Sequence, residues 1–391
     1  MERIDKVIEN AIAKEQLAGA NFMLIKDGKE LYYTEKGFAN IEEKKPYKRD
    51  TIFRLYSMSK PITAAAVTIL VDRGELEFGQ GVDEFLPGFK NVMVWEGDKR
   101  VPARRCPNVG DLMSMTSGLP YGGESNLMLG ERIWKTYQEI EAGFDTEQKL
   151  TTIDVANRFG EAGLEFHPGD AFRYGTSADV LGAIVEVVSG KTFGQFLEDE
   201  IFKPLGMKDT AFWVPAEKQD RLASVYEETP EGLKFFFTNN LGINYRMDCP
   251  PKFESGGAGL VSTIDDYAAF CNMLINEGEY NGVRILSKAA VRRMGSGRLT
   301  PWQLESFWRG WSHLQGYSYG SLMRSCVEPG AGMFAMEDGE YGWDGWLGAY
   351  MAVLPKSKTV ILLSYQRKDS GTIEVTKKLR NVIDAILSEV E

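Results

Sequence analysis

This sequence predicts an α+β fold: an antiparallel sheet flanked by N- and C-terminal helices, with a mainly helical lobe inserted between the parts of the chain that build the sheet. Two observations carry that prediction. Strand–turn–strand patterns stand near both ends of the 391 residues, each beside an amphipathic helix, and the middle is patterned as short helices joined by long, glycine-rich loops.

Residues 3–15 place Ile4, Val7, Ile8 and Ile12 on one face of a helix. Two β-prone runs, 21–25 and 30–34, then flank Lys26-Asp27-Gly28-Lys29, and Asp-Gly in that setting signals a hairpin. Residues 61–73 read as an apolar helix closed by Gly74. In the middle region the clearest element is a helix over 177–188, stopped by Ser189-Gly190. Towards the other end, 350–354 and 359–365 flank Pro355-Lys356-Ser357-Lys358 as a second hairpin. A last helix over 373–390 carries Val375, Leu379, Val382, Ile383 and Ile386 on one face. The expected organisation is one catalytic unit over 3–390, with an α/β lobe from 1–82 and 249–391 and the helical lobe from 83–248. A cleft between such lobes is a natural place for a site.

The composition narrows the function. Lys plus Arg total 45 against 56 Asp plus Glu, for a net charge of −11. A polyanion would be repelled over most of such a surface, so nucleic acid is not an expected partner, and neither is an anionic membrane. The N-terminus is charged and leads straight into the first helix, without the pattern of a secretory signal, so the cytoplasm is the expected location. Cys106, Cys249, Cys271 and Cys326 are scattered with no C-x-x-C spacing and read as free thiols; no metal or organic cofactor is expected. The acidic stretch 122–150, with Glu124, Glu131, Glu139, Glu141, Asp145 and Glu147, reads as a solvated face; Trp134, Tyr137 and Phe144 within it are candidate aromatic walls.

For nucleophilic chemistry, Gly316-Tyr317-Ser318-Tyr319-Gly320 matches G-x-S-x-G, yet the chain has only His167 and His313, and no histidine follows Ser318. A Ser-His-Asp triad of the α/β-hydrolase order is therefore excluded, and Ser318 reads as part of a strand or turn. His167, in Phe166-His167-Pro168-Gly169, reads as a surface turn residue, and His313 as packed or exposed. The other way to activate a serine uses an amine. Ser57-Met58-Ser59-Lys60 spaces Ser57 and Lys60 three apart at the start of an apolar helix, where they share a face. Burial would favour the neutral amine and make it a proton acceptor. Taken alone, S-x-x-K is a weak signal, since about one chance match is expected in a chain of this size.

The surrounding sequence strengthens it. Arg54-Leu55-Tyr56-Ser57-Met58-Ser59-Lys60-Pro61 resembles the first motif of class C β-lactamases and family VIII carboxylesterases. The segments 111–120 (with Thr116-Ser117-Gly118-Leu119-Pro120), 166–177 (with Tyr174-Gly175-Thr176-Ser177), 256–266 and Gly342-Trp343-Asp344-Gly345-Trp346 resemble that family's later motifs, in the family's order. The resemblance, to the serine β-lactamase-like superfamily that includes penicillin-binding proteins, covers almost the whole chain. It implies Ser57 as the acylated serine, with Lys60 and Tyr174 handling its proton. It also implies an oxyanion hole from the backbone N–H groups of Ser57 and Trp346, each such donor lowering a barrier by about 3 kcal/mol. A phenol beside a lysine is expected to shift towards phenolate. Tyr56, Thr176, Trp343, Asp344 and Gly345 are the candidate substrate contacts. Thr176 stands where β-lactamases usually have asparagine, and Trp343-Asp344-Gly345 stands where they have Lys-Thr-Gly. Asp344 is expected to repel an anionic β-lactam. The resemblance thus points to a carboxylesterase acting on small esters through an acyl-enzyme. A weak β-lactamase, D-peptidase, amidase or acyltransferase is the alternative in the same fold, and a binding protein that has kept the pocket is the alternative of another class.

Overall fold

The computed structural model describes residues 1–123, 127–147 and 149–390. Helix α1 (Glu2–Ala13) turns Ile4, Ile8 and Ala11 inward. Strands β1 (Gly19–Lys26) and β2 (Lys29–Asn40) follow. Asp27 and Gly28 between them have φ of +52° and +74°, the left-handed pair that a two-residue hairpin turn needs to match the sheet's twist. A short β3 (Lys45–Pro46) pairs with β2. The rest of the sheet comes from the other end of the chain: β4 (Tyr317–Gly320), β5 (Met323–Cys326), β6 (Tyr341–Asp344), β7 (Tyr350–Leu354) and β8 (Thr359–Ser364). The eight strands run in the order β4-β5-β6-β7-β8-β1-β2-β3, each antiparallel to its neighbours. Ser318 therefore lies in a strand, with its Oγ accepting from the Leu299 N–H at 3.2 Å.

Four more helices frame the site: α2 (Ser59–Asp72), α3 (Ser177–Ser189), α4 (Ile264–Ile275) and α5 (Glu374–Val390). Helices α1 and α5 cover one face of the sheet, where Ile4, Ile8, Leu379 and Ile383 pack against Phe22, Leu24, Tyr350 and Leu363. The other face looks onto α4 and α2, and a single apolar cluster continues from Met23, Met351 and Leu362 into the helical lobe. Helix α2 is buried from Ser59 to Leu70, as befits a helix apolar on every side. It begins two residues before the expected 61, because Pro61 fits the first turn, where its missing N–H has no intrahelical partner. Gly190 ends α3 at φ +68°.

The inserted region is mainly helical, but it also holds two small hairpins, Met93–Glu96 with Lys99–Pro102 and Tyr226–Thr229 with Gly232–Phe235. Within 122–150, Glu124 lies outside the described residues. Glu131, Asp145 and Glu147 are exposed, whereas Glu139, paired with Arg158, and Glu141 are half-buried; Trp134 is exposed, and Tyr137 is buried against Phe159. His167 is not a free surface residue: it is partly buried, and its Nδ1 accepts from the Arg104 N–H at 3.2 Å. The four cysteines are unpaired. No single helix among the described residues is long and apolar enough to cross a membrane.

A buried ion pair fixes α5 to the sheet. The Arg380 guanidinium meets the Glu340 carboxylate, which also accepts from the Tyr317 hydroxyl, and both charged side chains are almost fully buried. Removing one partner strands the other charge away from water, at a cost of about 3–5 kcal/mol. Glu340→Ala should accordingly lose about 3 kcal/mol of unfolding free energy in urea. Glu305→Ala, which breaks an exposed pair with Arg309, should stay within about 1 kcal/mol of the wild type.

Candidate active site

Ser57 lies in the short 3-10 turn Tyr56–Met58 that leads into α2. The chain reaches this turn through Phe53–Arg54, paired with Val261–Ser262, and through the Leu55 N–H bonded to the Leu260 carbonyl at 2.9 Å. Tyr56 has φ +45°, a left-handed conformation that costs of order 1 kcal/mol in a residue with a side chain. Its ring packs on Trp346, with centroids 5.0 Å apart, so packing holds the turn in that shape. From Thr51 to Leu70 every residue is buried except Ser57, which is half-buried. The turn thus presents a single hydroxyl to the outside.

Helical spacing puts Lys60 directly behind it. The Lys60 Nζ lies 3.2 Å from the Ser57 Oγ, 3.0 Å from the Tyr121 hydroxyl and 2.8 Å from the Gly257 carbonyl oxygen, and 4.6 Å from the centroid of the Tyr174 ring. Burial pushes the amine down to about 7, against a smaller upward pull from the Asp179 carboxylate. Asp179, near the start of α3, is itself buried, and burial raises its carboxyl above the usual range. Its Oδ1 accepts from the Ser255 hydroxyl at 2.5 Å and the Gly257 N–H at 3.0 Å. It therefore shapes the loop whose carbonyl receives the Lys60 amine.

Tyr174 approaches from the helical lobe. Its hydroxyl lies close enough to Ser57 to feel it electrostatically and accepts from the Trp343 indole N–H at 2.9 Å. The Tyr174 ring packs on Trp311 and Trp343 at 4.9 and 5.5 Å, so this side of the cleft is aromatic. On the sheet side, Gly345 comes so close to the Leu55 carbonyl that a Cβ there would sit 2.4 Å from the oxygen. The turn beyond β6 is closed by the Gly345 N–H to the Ala349 carbonyl at 2.6 Å and the Gly348 N–H to the Gly345 carbonyl at 2.9 Å. Neither the Ser57 N–H nor the Trp346 N–H has an acceptor among the described residues. Two unpaired donors beside a hydroxyl and a low-pKa amine can together bind and activate an acyl carbonyl.

The structure thus brings Ser57, Lys60, Tyr174, Trp343 and the Trp346 turn together, and it corrects three expectations. The Tyr174 phenol is not drawn towards phenolate: burial pushes it up, and Lys60, with its amine lowered, supplies little compensating charge. Asp344 does not offer a free negative charge to the cleft. Alternation along β6 turns it away from Trp343, and its carboxylate pairs with the buried Arg324 at 3.2 Å and accepts from the Thr372 hydroxyl. Thr176 is fully buried at the start of α3, so it lines no open space, and its hydroxyl lacks a partner among the described residues. Gly345 contributes through close backbone approach, and Tyr56 as the packed base under Trp346.

Tyr121 and Asp179 were missed in the sequence. Tyr121 directly follows Leu119-Pro120 of the second resembling segment, and Asp179 is a carboxylate in the first turn of a mostly apolar helix pattern; those were the available signals.

With this geometry in view, the comparisons with known proteins are decisive. The family model described as Beta-lactamase matches residues 4–383. The chain belongs to the β-lactamase family. It is 32% identical to an uncharacterized protein of Mycobacterium tuberculosis over 85% of this chain and 81% of that one. It is 27% identical to esterase EstB of Burkholderia gladioli over 98% of this chain and 95% of the esterase. Among solved structures, EstCE1, titled a hydrolase with promiscuous acyltransferase activity, superposes with a TM-score of 0.81 at 23% identity, covering 98% of this chain and 97% of its own. The family is one of serine hydrolases on a shared fold, with esterases and penicillin-binding proteins among its members.

Because the Asp179 carboxylate raises the Lys60 amine, neutralising it should lower that amine further. Labelling of Ser57 by a fluorophosphonate should rise with pH through about 7 in the wild type. In Asp179→Asn the midpoint should move to lower pH, read by intact-protein mass against time across a pH series.

Proposed function

We propose that this protein hydrolyses small neutral esters through an acyl-enzyme on Ser57. The observation that carries this reading is a buried amine, lowered to about 7, within 3.2 Å of the one partly exposed hydroxyl in its segment.

The Ser57 Oγ attacks the ester carbonyl carbon and its proton passes to the Lys60 Nζ. The carbonyl oxygen becomes an oxyanion and is held by the N–H groups of Ser57 and Trp346. Tyr174 stays a neutral phenol. Because its oxygen accepts from Trp343, its own proton is free to point into the site. The tetrahedral intermediate collapses as the C–O bond to the alcohol breaks, and the leaving oxygen takes the proton held on Lys60, with the Tyr174 hydroxyl donating a hydrogen bond to that oxygen. Water then attacks the acyl-enzyme and gives a proton to Lys60, which passes it to the Ser57 Oγ as the C–Oγ bond breaks and the carboxylic acid leaves.

Two features favour an ester over a β-lactam. Trp343 stands where β-lactamases carry a lysine for the substrate carboxylate, so the cation for that group is missing there. The cleft wall of Tyr121, Tyr174, Trp311 and Trp343 is aromatic and suits an uncharged alcohol portion. Acyl transfer to an alcohol held on that wall is the second reading, favoured by the same aromatic surface. A non-catalytic binding role fits less well, since a lowered amine stands against the half-buried Ser57 hydroxyl, and the turns of Ser57 and Trp346 each carry an unpaired N–H.

Ser57→Ala should reduce hydrolysis of p-nitrophenyl butyrate by about 10³-fold or more, and Tyr174→Phe by about 10²-fold or more, in steady-state assays at pH 8. Wild-type turnover of nitrocefin should be far slower than that of the ester. Full ester activity in folded Ser57→Ala would overturn the assignment.

A further inference from the structure

A second aromatic group stands beside the nucleophile and takes no part in the chemistry above. The hairpin of Tyr226–Thr229 with Gly232–Phe235 is prolonged by the Phe236 N–H, which donates to the Val225 carbonyl at 2.8 Å. Alternation along this strand sends Phe235 and Phe237 to one side, where they meet Tyr226 and Tyr245, and Phe236 to the other. There the Phe236 ring packs edge to face on Trp346, with centroids 6.0 Å apart. Trp346 lies in turn on Tyr56, the residue before Ser57. A short chain of rings therefore leads from the nucleophile's own turn towards the surface.

The two outer rings are held in place and still open. The Trp346 indole N–H donates to the Asp369 carboxylate at 2.8 Å. The Lys368 ammonium stands 5.1 Å from the centroid of Phe236 and is paired with Glu227 at 3.2 Å. Trp346 and Phe236 nevertheless stay only half-buried, on the rim of the apolar cluster that holds Tyr56. Among the described residues neither ring packs on Tyr174, Trp311 or Trp343, so this ledge is separate from the wall assigned to the alcohol.

The tetrahedral intermediate decides what such a ledge meets. Its central carbon is bonded to the Ser57 Oγ, to an oxyanion at the N–H groups of Ser57 and Trp346, to the alcohol oxygen and to the acyl chain. The alcohol oxygen must stand by Lys60 and Tyr174 to receive its proton, so the chain leaves on the side away from Tyr174. The rings of Trp346 and Phe236 are the apolar surface that adjoins the oxyanion turn outside the Tyr174 wall. We propose that this ledge receives the acyl chain and selects esters of arylalkanoic acids, such as 3-phenylpropanoic acid, over acetate. Ring edges against ring faces favour an aryl group over an alkyl chain of the same reach. The ledge has this role only if Ser57 is acylated as proposed above.

The experiment compares kcat/KM for the p-nitrophenyl esters of acetic, hexanoic and 3-phenylpropanoic acids on wild type, Phe236→Ala, Phe236→Leu and Phe237→Ala. Wild type should favour the 3-phenylpropanoate over the acetate by about tenfold or more. Phe236→Ala should keep the acetate value within about twofold, which reports an intact site, and should lose that preference. Phe236→Leu should return the hexanoate, and not the 3-phenylpropanoate, to within about twofold of wild type. Phe237→Ala, on the opposite side of the strand, should keep the wild-type selectivity. Wild-type preference surviving in Phe236→Ala, or an equal loss on all the esters, would overturn the proposal and leave the acyl-enzyme standing. No turnover of any of these esters by wild type would overturn the acyl-enzyme itself, and the ledge's role with it.

Discussion

A primary amine taken out of water must give up its proton or find compensating charge. Lys60 sits among the Ser57 hydroxyl, the Tyr121 hydroxyl, the Gly257 carbonyl and the face of Tyr174, with no carboxylate in direct contact, and its amine falls to about 7. That environment constrains the rest of the architecture. Helix α2 has to be buried on all sides to hold the amine in place. The loop at Gly257 must be fixed from behind, which Asp179 does, and Tyr174 must arrive from a separate lobe to close the last side.

The same constraint explains why the nucleophile stands on a strained turn. A serine on the interior of α2 would be as buried as its neighbours and closed to substrate. The left-handed Tyr56, wedged against Trp346, lifts one residue of the segment into reach while the amine three positions later stays covered. Strain at Tyr56 and desolvation at Lys60 both cost stability, and the apolar packing of α2 between sheet and helical lobe offsets them.

Much of this was legible in the sequence because local rules were sufficient. Asp27-Gly28 specified its turn, the helical periods specified α1 and α5, and the three-residue spacing put Ser57 beside Lys60. What escaped depended on partners far away in the chain. Asp344 looks like a free charge until Arg324 is placed beside it, and that placement follows from the pairing of β5 with β6. The direction of the Tyr174 shift depended on how deeply the rings of Tyr121, Trp311, Tyr319 and Trp343 would bury it. Tyr121 and Asp179 act at Lys60 from positions 61 and 119 residues further along, and no local pattern announces such a meeting.

The sheet's topology bears on how the chain acquires its structure. Strand β1 lies between β2, its immediate successor, and β8, whose Ser364 faces Asn21 across an interval of most of the sequence. During synthesis the first hairpin is complete early, yet one edge of β1 and one face of the sheet stay uncovered until the last strands and α5 emerge. A bare strand edge is a template for pairing with another chain, and contacts this distant in sequence form slowly. The nascent protein therefore spends most of its translation time as a half-built sheet, and protection of that edge by a chaperone, or by the helical lobe folding in the meantime, becomes part of what this topology requires of the cell.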